Sequence, residues 1–351
     1  MPLAKLVPLS ASTLPAVASR LASGGLVAFP TETVYGLGCS PFLPSAIASV
    51  YAAKRRPPTS PLIVHVASPP AASPLLSPSL PAASRAAFAA LAARFFPGPL
   101  TLLLPAHPDL PPELTSGTGV VGVRQPAHEG ARRLLEAAGP LAAPSANLHG
   151  HVSPTSAEHV MEDLGGEDVW VLDDGRGGAP EVGIESTVAR IEAVGGGVGV
   201  EVLRLGAVTA KQIGECLADA DIQATVSSLP LHVDPLSPSP GNTLKHYSPS
   251  LPSLILPASS SPPPDLPSAA LLDYGGSNAH LSAAALFYRD LSPPASPAAA
   301  ARALFAALRE AEAAEGAGVV YLPDFRGVEG GEAVGDRVWR AAEGRVWGQP
   351  K

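Results

Sequence analysis

Apolar positions along this chain alternate between two rhythms. Short, largely apolar stretches at residues 26–29, 62–66, 100–104, 120–123, 140–143, 169–172 and 186–191 read as strands. Between several of them apolar residues recur at helical spacing. Ile47, Val50, Tyr51 and Lys54 share one helix face until Pro57 forbids continuation, and residues 85–94 carry a second helix. Near the start, Ser12 or Thr13 caps a short helix that has Pro15 in its first turn, turns Val17 and Leu21 inward, and ends at Gly24. Further on, runs at 254–256, 271–274 and 319–322 flank a helix with Ser296 as cap, Pro297 at its first position, a stripe of Leu304, Leu308 and Ala311, and Gly316 beyond its end. The pattern predicts an α/β chain: a twisted open sheet with flanking helices over 1–217, a linker over 218–252 where periodicity fades, and a smaller α/β domain with a parallel sheet over 253–351. The Pro/Ser/Ala stretch 68–81 reads as an exposed loop.

Length agrees with two domains at roughly 150 residues each, and 46% hydrophobic residues are ample for a core. The 41 prolines and 34 glycines stay below the ~25–30% that marks a disordered chain. A net charge of -8 supplies no basic footprint for a duplex, so any RNA partner would have to be met through a local patch. Cys39 and Cys216 stand far apart, which suits a reducing compartment and forms no disulfide framework or zinc pair. No apolar run approaches the ~18 residues of a membrane span. Residues 1–25 lack acids and are serine-rich, as organelle transit peptides are, but the helix signals there support a structural reading.

Candidate chemistry sits at the strand ends. The polar loop of Thr31, Glu32, Thr33 and Tyr35 follows the first apolar run, and Lys54, Arg55 and Arg56 gather where a helix stops. His65 lies within the next run. Such a hydroxyl-rich turn, cationic corner and histidine suit a small anionic ligand. Ser145 and Asn147 follow another strand, SPT (153–155) caps a helix containing His159, Glu185 and Ser186 open a further strand, and Arg204 is a lone cation. Each alone satisfies backbone groups in a turn equally well. Gly117, Gly119 and Gly122 fit a dinucleotide fingerprint by spacing, but no strand precedes them and Pro126 breaks any helix after them. His149 and His151, with His159 nearby, read as histidines without metal. The linker carries SPGNTLKHYSP, a string richer in chemistry than a tether requires.

Taken together, PTETVYGLG, the corner Lys54-x-Arg56-Pro57, PLIVH, FPGPLTLLL, VRQP, APSAN with SPT, GIESTV, LRLG and SPGNTLKHYSP occur in the order and approximate spacing of the threonylcarbamoyl-AMP synthases. Residues 20–250 resemble that family in its long, two-domain form; the last hundred match it in length and class. The resemblance implies a YrdC-like fold and the synthesis of threonylcarbamoyl-adenylate and pyrophosphate from L-threonine, bicarbonate or CO2, and ATP with magnesium. It also implies a downstream transferase that uses the adenylate for the t6A modification beside the tRNA anticodon, with direct tRNA binding weak or absent, in the cytoplasm, an organellar pool remaining open. By motif position Thr33, His65, Arg124, Ser145 and Ser186 are expected to contact threonine, Arg124 as a planar fork on its carboxylate. Lys54, Arg56, Ser60, Asn147, Ser153, Thr155, Arg204 and Tyr247 are expected to contact ATP, with Lys54 and Arg56 catalytic and the metal held by the phosphates. The segment bearing His246 and Tyr247 is expected to cover the cleft as a lid.

This sequence departs from the family pattern at Arg55, usually glycine, which is expected to crowd the cationic corner, at Ser60, usually asparagine, at Val120, often a hydroxyl residue, and at Leu205, usually proline. A noncatalytic RNA-binding module, a hydrogenase-type carbamoyltransferase and an NAD enzyme are the competing readings; the acidic balance, the two lone cysteines and the misplaced glycine string count against each in turn.

Overall fold

The computed structural model describes residues 3–175, 180–228 and 246–349. Among these, the strands form three sheets. The first runs in the order Lys5–Pro8, Val169–Asp173, Leu26–Phe29, Gly36–Gly38. A seven-stranded mixed sheet follows the order Ala224–Ser228, Gly197–Arg204, Thr187–Val194, Leu100–Pro105, Val120–Arg124, Ile63–His65, Leu141–Ala142. The third has four parallel strands in the order Ser253–Leu256, Val319–Pro323, Ala269–Asp273, Phe287–Asp290, with the helices Pro297–Ala313 and Glu332–Ala341 packed against it. The α/β architecture is as the apolar rhythm predicts, but the N-terminal sheet is two. They join where Gly36 bridges Ser145 and Cys39 bridges Ala142, and the candidate site lies beside that seam.

Several predicted boundaries shift for local reasons. Residues 218–228 are not linker: the helix Ala210–Asp219 closes there and Ala224–Ser228 pairs in parallel with Gly197–Arg204. That largely polar edge strand carries no apolar run to mark it. Of the rest of the predicted linker, 229–245 falls outside the described residues, while 246–252 is described and includes the buried His246 and Tyr247. Gly195 and Gly196, both at positive φ, make a two-residue hairpin between Thr187–Val194 and Gly197–Arg204, so Arg204 is a strand residue and not an isolated cation. The stretch 68–81 holds a 3-10 helix, Pro69–Leu75, whose Ala72 and Leu75 are buried, so it is no simple exposed loop. Ser156, not SPT, caps the helix with His159, accepting from the His159 amide at 3.3 Å. Thr13 stands at its predicted cap position, yet its hydroxyl donates to the Pro8 carbonyl at 2.6 Å. The glycine string forms a turn, with Gly117 and Gly119 at positive φ, that leads into the strand Val120–Arg124 instead of a helix.

The two domains are locked face to face. Arg309 of the C-terminal domain donates to the Val152 carbonyl at 2.6 Å and pairs with Asp163 at 3.1 Å. His151 lies between Asp163 (2.9 Å) and Glu312 (3.0 Å). Glycine is required at Gly183, where φ is +78° and a Cβ would stand 2.3 Å from the Arg302 Cα. The loop 183–187 can therefore lie directly against the helix Pro297–Ala313.

Candidate active site

Strand register places the first two groups. Ile63–His65 runs parallel to Val120–Arg124 with His65 opposite Arg124, so an imidazole and a guanidinium emerge together at one sheet end. The loop 31–36 reaches the same point because Leu26–Phe29 ends there, and its backbone is tied to the turn after Leu141–Ala142: Leu37 donates to the Pro144 carbonyl at 2.8 Å and Ala146 to that of Tyr35 at 2.9 Å. These segments, with the chain after the helix Pro44–Ala53, the Glu185 turn, the end of Gly197–Arg204 and the 246–247 segment, enclose one hollow. Thr33, Arg56, His65, Arg124, Ser145, Arg204 and Tyr247 line it, together with Glu185 and His246.

The remaining expected residues sit behind that wall. Lys54 caps its helix and is buried, its ammonium donating to the carbonyls of Ser145 and Asn147. Burial, with Arg56 nearby, drives its pKa well below the usual lysine value. Its place is therefore under the Ser145 turn. Arg55 adopts φ +51°, the conformation for which glycine is favoured, and is exposed; contrary to expectation it does not crowd the corner. Ser60 accepts from Arg56 Nη2 at 2.6 Å. Asn147 donates to the Leu148 and His151 carbonyls, at 2.7 and 2.9 Å, while its Oδ1 is buried without a partner. Ser153 donates to Glu185 at 2.6 Å, and Thr155 bonds His159 at 3.2 Å. Ser186 shares a hydrogen bond with Thr101 at 2.8 Å and holds Arg204, which donates to its carbonyl (3.0 Å) and hydroxyl (3.1 Å).

Electrostatics sharpen the hollow. Burial, with Arg204 close by, lowers Arg56 to about 10, still cationic at neutral pH. Burial and then Arg124 lower His65 to about 3, so its ring is neutral, and its buried Nδ1 is unpartnered. His246 is likewise driven well down by burial, Arg56 and His149. The Tyr247 phenol rises to about 12, chiefly through burial, and its hydroxyl has no partner. Orphaned polar atoms around three guanidinium groups describe a site made for a polar anion. Tyr247 stacks on Phe305 at 5.5 Å and lies 5.3 Å beneath the Arg337 guanidinium.

Two features have no clear signature in the motifs. Glu32 pairs with Arg124 at 2.7 Å and accepts from the Ala127 amide at 3.0 Å, and Arg124 Nε donates to Gly98 at 3.3 Å. Of the expected fork, Nε and one Nη2 hydrogen are therefore already engaged within the protein. Arg337, from the C-terminal domain, reaches Glu185 at 3.0 Å; its only sequence signal is a charged residue on the inner face of an amphipathic helix.

The fold and the hollow define a two-domain α/β protein with a cation-lined site between its segments. Residues 19–206 match the family described as "Telomere recombination", that of the Sua5, YciO and YrdC proteins, and residues 208–343 match "Threonylcarbamoyl-AMP synthase, C-terminal domain". The chain belongs to the Sua5/YciO/YrdC family in its two-domain form. It is 39% identical over 234 residues to the threonylcarbamoyl-AMP synthase of Pyrococcus abyssi, covering 66% of this chain and 64% of that protein. With the Bacillus subtilis enzyme of the same name it shares 40% identity over 240 residues, 68% of this chain and 65% of the relative. These alignments therefore span a little under two thirds of the relatives' length. The solved structure of P. abyssi Sua5 complexed with L-threonine superposes with a TM-score of 0.78 at 32% identity, covering 98% of both chains. Escherichia coli YciO, 20% identical at a TM-score of 0.50 over 61% of this chain and all of its own, shares the fold.

Proposed function

We propose that this protein is an L-threonylcarbamoyladenylate synthase. The carrying observation is the convergence of Arg56, Arg124 and Arg204 with His65, Thr33 and Ser145 on one hollow. L-Threonine and bicarbonate condense to the N-carboxy amino acid with loss of water; an oxygen of its N-carboxylate (carbamate) group attacks the α-phosphorus of ATP, and the bond to pyrophosphate breaks. Arg56 and Arg204 face the polyphosphate and neutralise charge developing during displacement. Arg124 receives the amino acid's carboxylate, while Thr33, Ser145 and neutral His65 read its hydroxyl and amine. Unpaired polar groups then penalise an analogue lacking that hydroxyl. Lys54 acts from behind by fixing the Ser145–Asn147 turn. Among the described residues no three His, Cys, Asp or Glu side chains form a metal cluster; magnesium is proposed to arrive on the nucleotide's phosphates, shielding their charge. The adenylate passes to a tRNA threonylcarbamoyl transferase for the t6A modification, with direct tRNA binding weak or absent, in the cytoplasm. No described helix is long and apolar enough to cross a membrane.

The hollow measures about 50 Å³, whereas ligand pockets run to roughly 300–1,000 Å³. ATP thus enters when the His246–Tyr247 wall moves outward, and its return excludes water from the adenylate. The test is pyrophosphate release from ATP and bicarbonate, with L-threonine, with L-serine and with no amino acid, for the wild type and for Arg56→Ala and Lys54→Ala. Release should depend on threonine and be lost in both variants. Equal release with serine or without amino acid refutes the assignment.

A further inference from the structure

We propose that Arg337, a residue of the C-terminal domain, is a positioning residue of the active site: it fixes the carboxylate of Glu185 and, through the Glu185–Ser186 turn, the guanidinium of Arg204. This rests on the proposed synthase activity and gives the C-terminal domain a part in it.

Arg337 is 0% exposed although it sits on a helix of a different domain from the hollow. Its Nε donates to Glu185 Oε2 at 3.0 Å and its Nη2 to the Glu185 carbonyl at 3.4 Å, so one guanidinium holds both side chain and backbone of that residue. The other carboxylate oxygen accepts from Ser153 at 2.6 Å, leaving the group no freedom to rotate. The next residue, Ser186, supplies the carbonyl and hydroxyl that orient Arg204. Arg337 also covers the ring of Tyr247 and pairs at 3.1 Å with Asp336, which Arg340 holds in turn at 3.0 Å. Thus Glu185, Arg204 and Tyr247, three parts of the wall, depend on one cation from outside the N-terminal domain.

Docking alone does not call for such a residue. Buried ion pairs contribute little net stability relative to well-packed apolar side chains of similar volume. Arg309, elsewhere on the interface, already anchors the domains through Val152 and Asp163. What arginine provides at position 337, and an apolar residue does not, is a rigid multi-point grip on a turn that carries site residues.

The experiment compares Arg337→Met, Arg337→Lys, Glu185→Gln, the double variant Glu185→Gln/Arg337→Met, and Arg309→Met, measuring melting temperature, kcat, and KM for threonine and ATP in the pyrophosphate assay. Arg337→Met should lose kcat by about tenfold or more at temperatures where it is fully folded, and the double variant should be no slower than Glu185→Gln, since coupled residues give non-additive losses. Arg337→Lys, with single-point contact, should also be impaired and serves the same comparison if the methionine variant does not fold. Arg309→Met should melt earlier yet keep kcat within about twofold. The inference is overturned if Arg337→Met keeps kcat and both KM values within that range, if the double variant multiplies the single losses, or if the Arg309 and Arg337 variants lose kcat in proportion to their loss of melting temperature. A wild type with no threonine-dependent release removes the synthase activity and this inference with it; an active wild type with an equally active Arg337→Met removes the inference alone.

Discussion

Replacing Glu32 by alanine isolates the buried pair beneath the proposed threonine site. Glu32 and Arg124 are each 3% exposed, so the truncation leaves a guanidinium in the interior with one acceptor, the Gly98 carbonyl, and orphans the Ala127 amide. Removing one partner of a buried pair costs about 3–5 kcal/mol, and an unsatisfied amide about 1–3 kcal/mol. The two overlap, since the site relaxes once, so a total of about 4 kcal/mol is expected. For a folded unit of this size each kcal/mol lowers the melting temperature by about 2–4 °C, hence about 8–16 °C for Glu32→Ala. Scanning calorimetry measures it directly, and the loss should persist in high salt because the pair is screened from solvent ions. The companion variant Glu32→Leu/Arg124→Met removes both charges at similar volume and should melt within about 4 °C of wild type, while threonine-dependent pyrophosphate release stays absent. Recovery of stability without recovery of activity separates the pair's two tasks. Melting of Glu32→Ala within about 2 °C of wild type, or of the double variant as low as the single, refutes this account of the pair.

Three further outcomes are expected from the geometry. Burial opposes protonation of His151, but hydrogen bonds to Asp163 and Glu312 outweigh it and raise its pKa to about 9; its contribution to domain docking is complete below about pH 6.5, the unperturbed value, and is lost as pH rises through 9, so the wild-type melting temperature should fall across that window and His151→Gln should show a flatter profile. Gly183→Ala, forced against the Arg302 backbone at positive φ, should cost about 2–4 kcal/mol from the conformation and the overlap together and expose the interface to limited proteolysis; an unchanged cleavage pattern and melting point would count against the close approach. Tyr247→Ala, which deletes a ring packed on Phe305 and Arg337, should shorten adenylate lifetime in single-turnover assays, and an unaltered yield and lifetime would show that the ring does not exclude water.

The apolar rhythm determined the α/β class, many strands of both domains and several helices, because burying a strand or helix face is a local demand that each segment's own residues express. Of the residues that motif order grouped, Thr33, Arg56, His65, Arg124, Ser145, Arg204 and Tyr247 line one hollow, while Lys54, Ser60, Asn147, Ser153, Thr155 and Ser186 do not. Elements without a continuous apolar run escaped: the edge strands Ala224–Ser228, Lys5–Pro8 and Phe287–Asp290, the short Gly36–Gly38, held by its neighbours, and Gly197–Arg204, whose buried valines alternate with glycine and glutamate. Only the tertiary structure decided what the site charges do. Lys54 turns to two carbonyls behind the wall, Arg124 is half-spent on Glu32, and Glu185 is held by Arg337 across a domain boundary. The physical reason is range: a hydrogen-bond or ion-pair partner 92 or 152 positions away along the chain is selected by how sheets and domains dock, and no periodicity within a single segment records that choice.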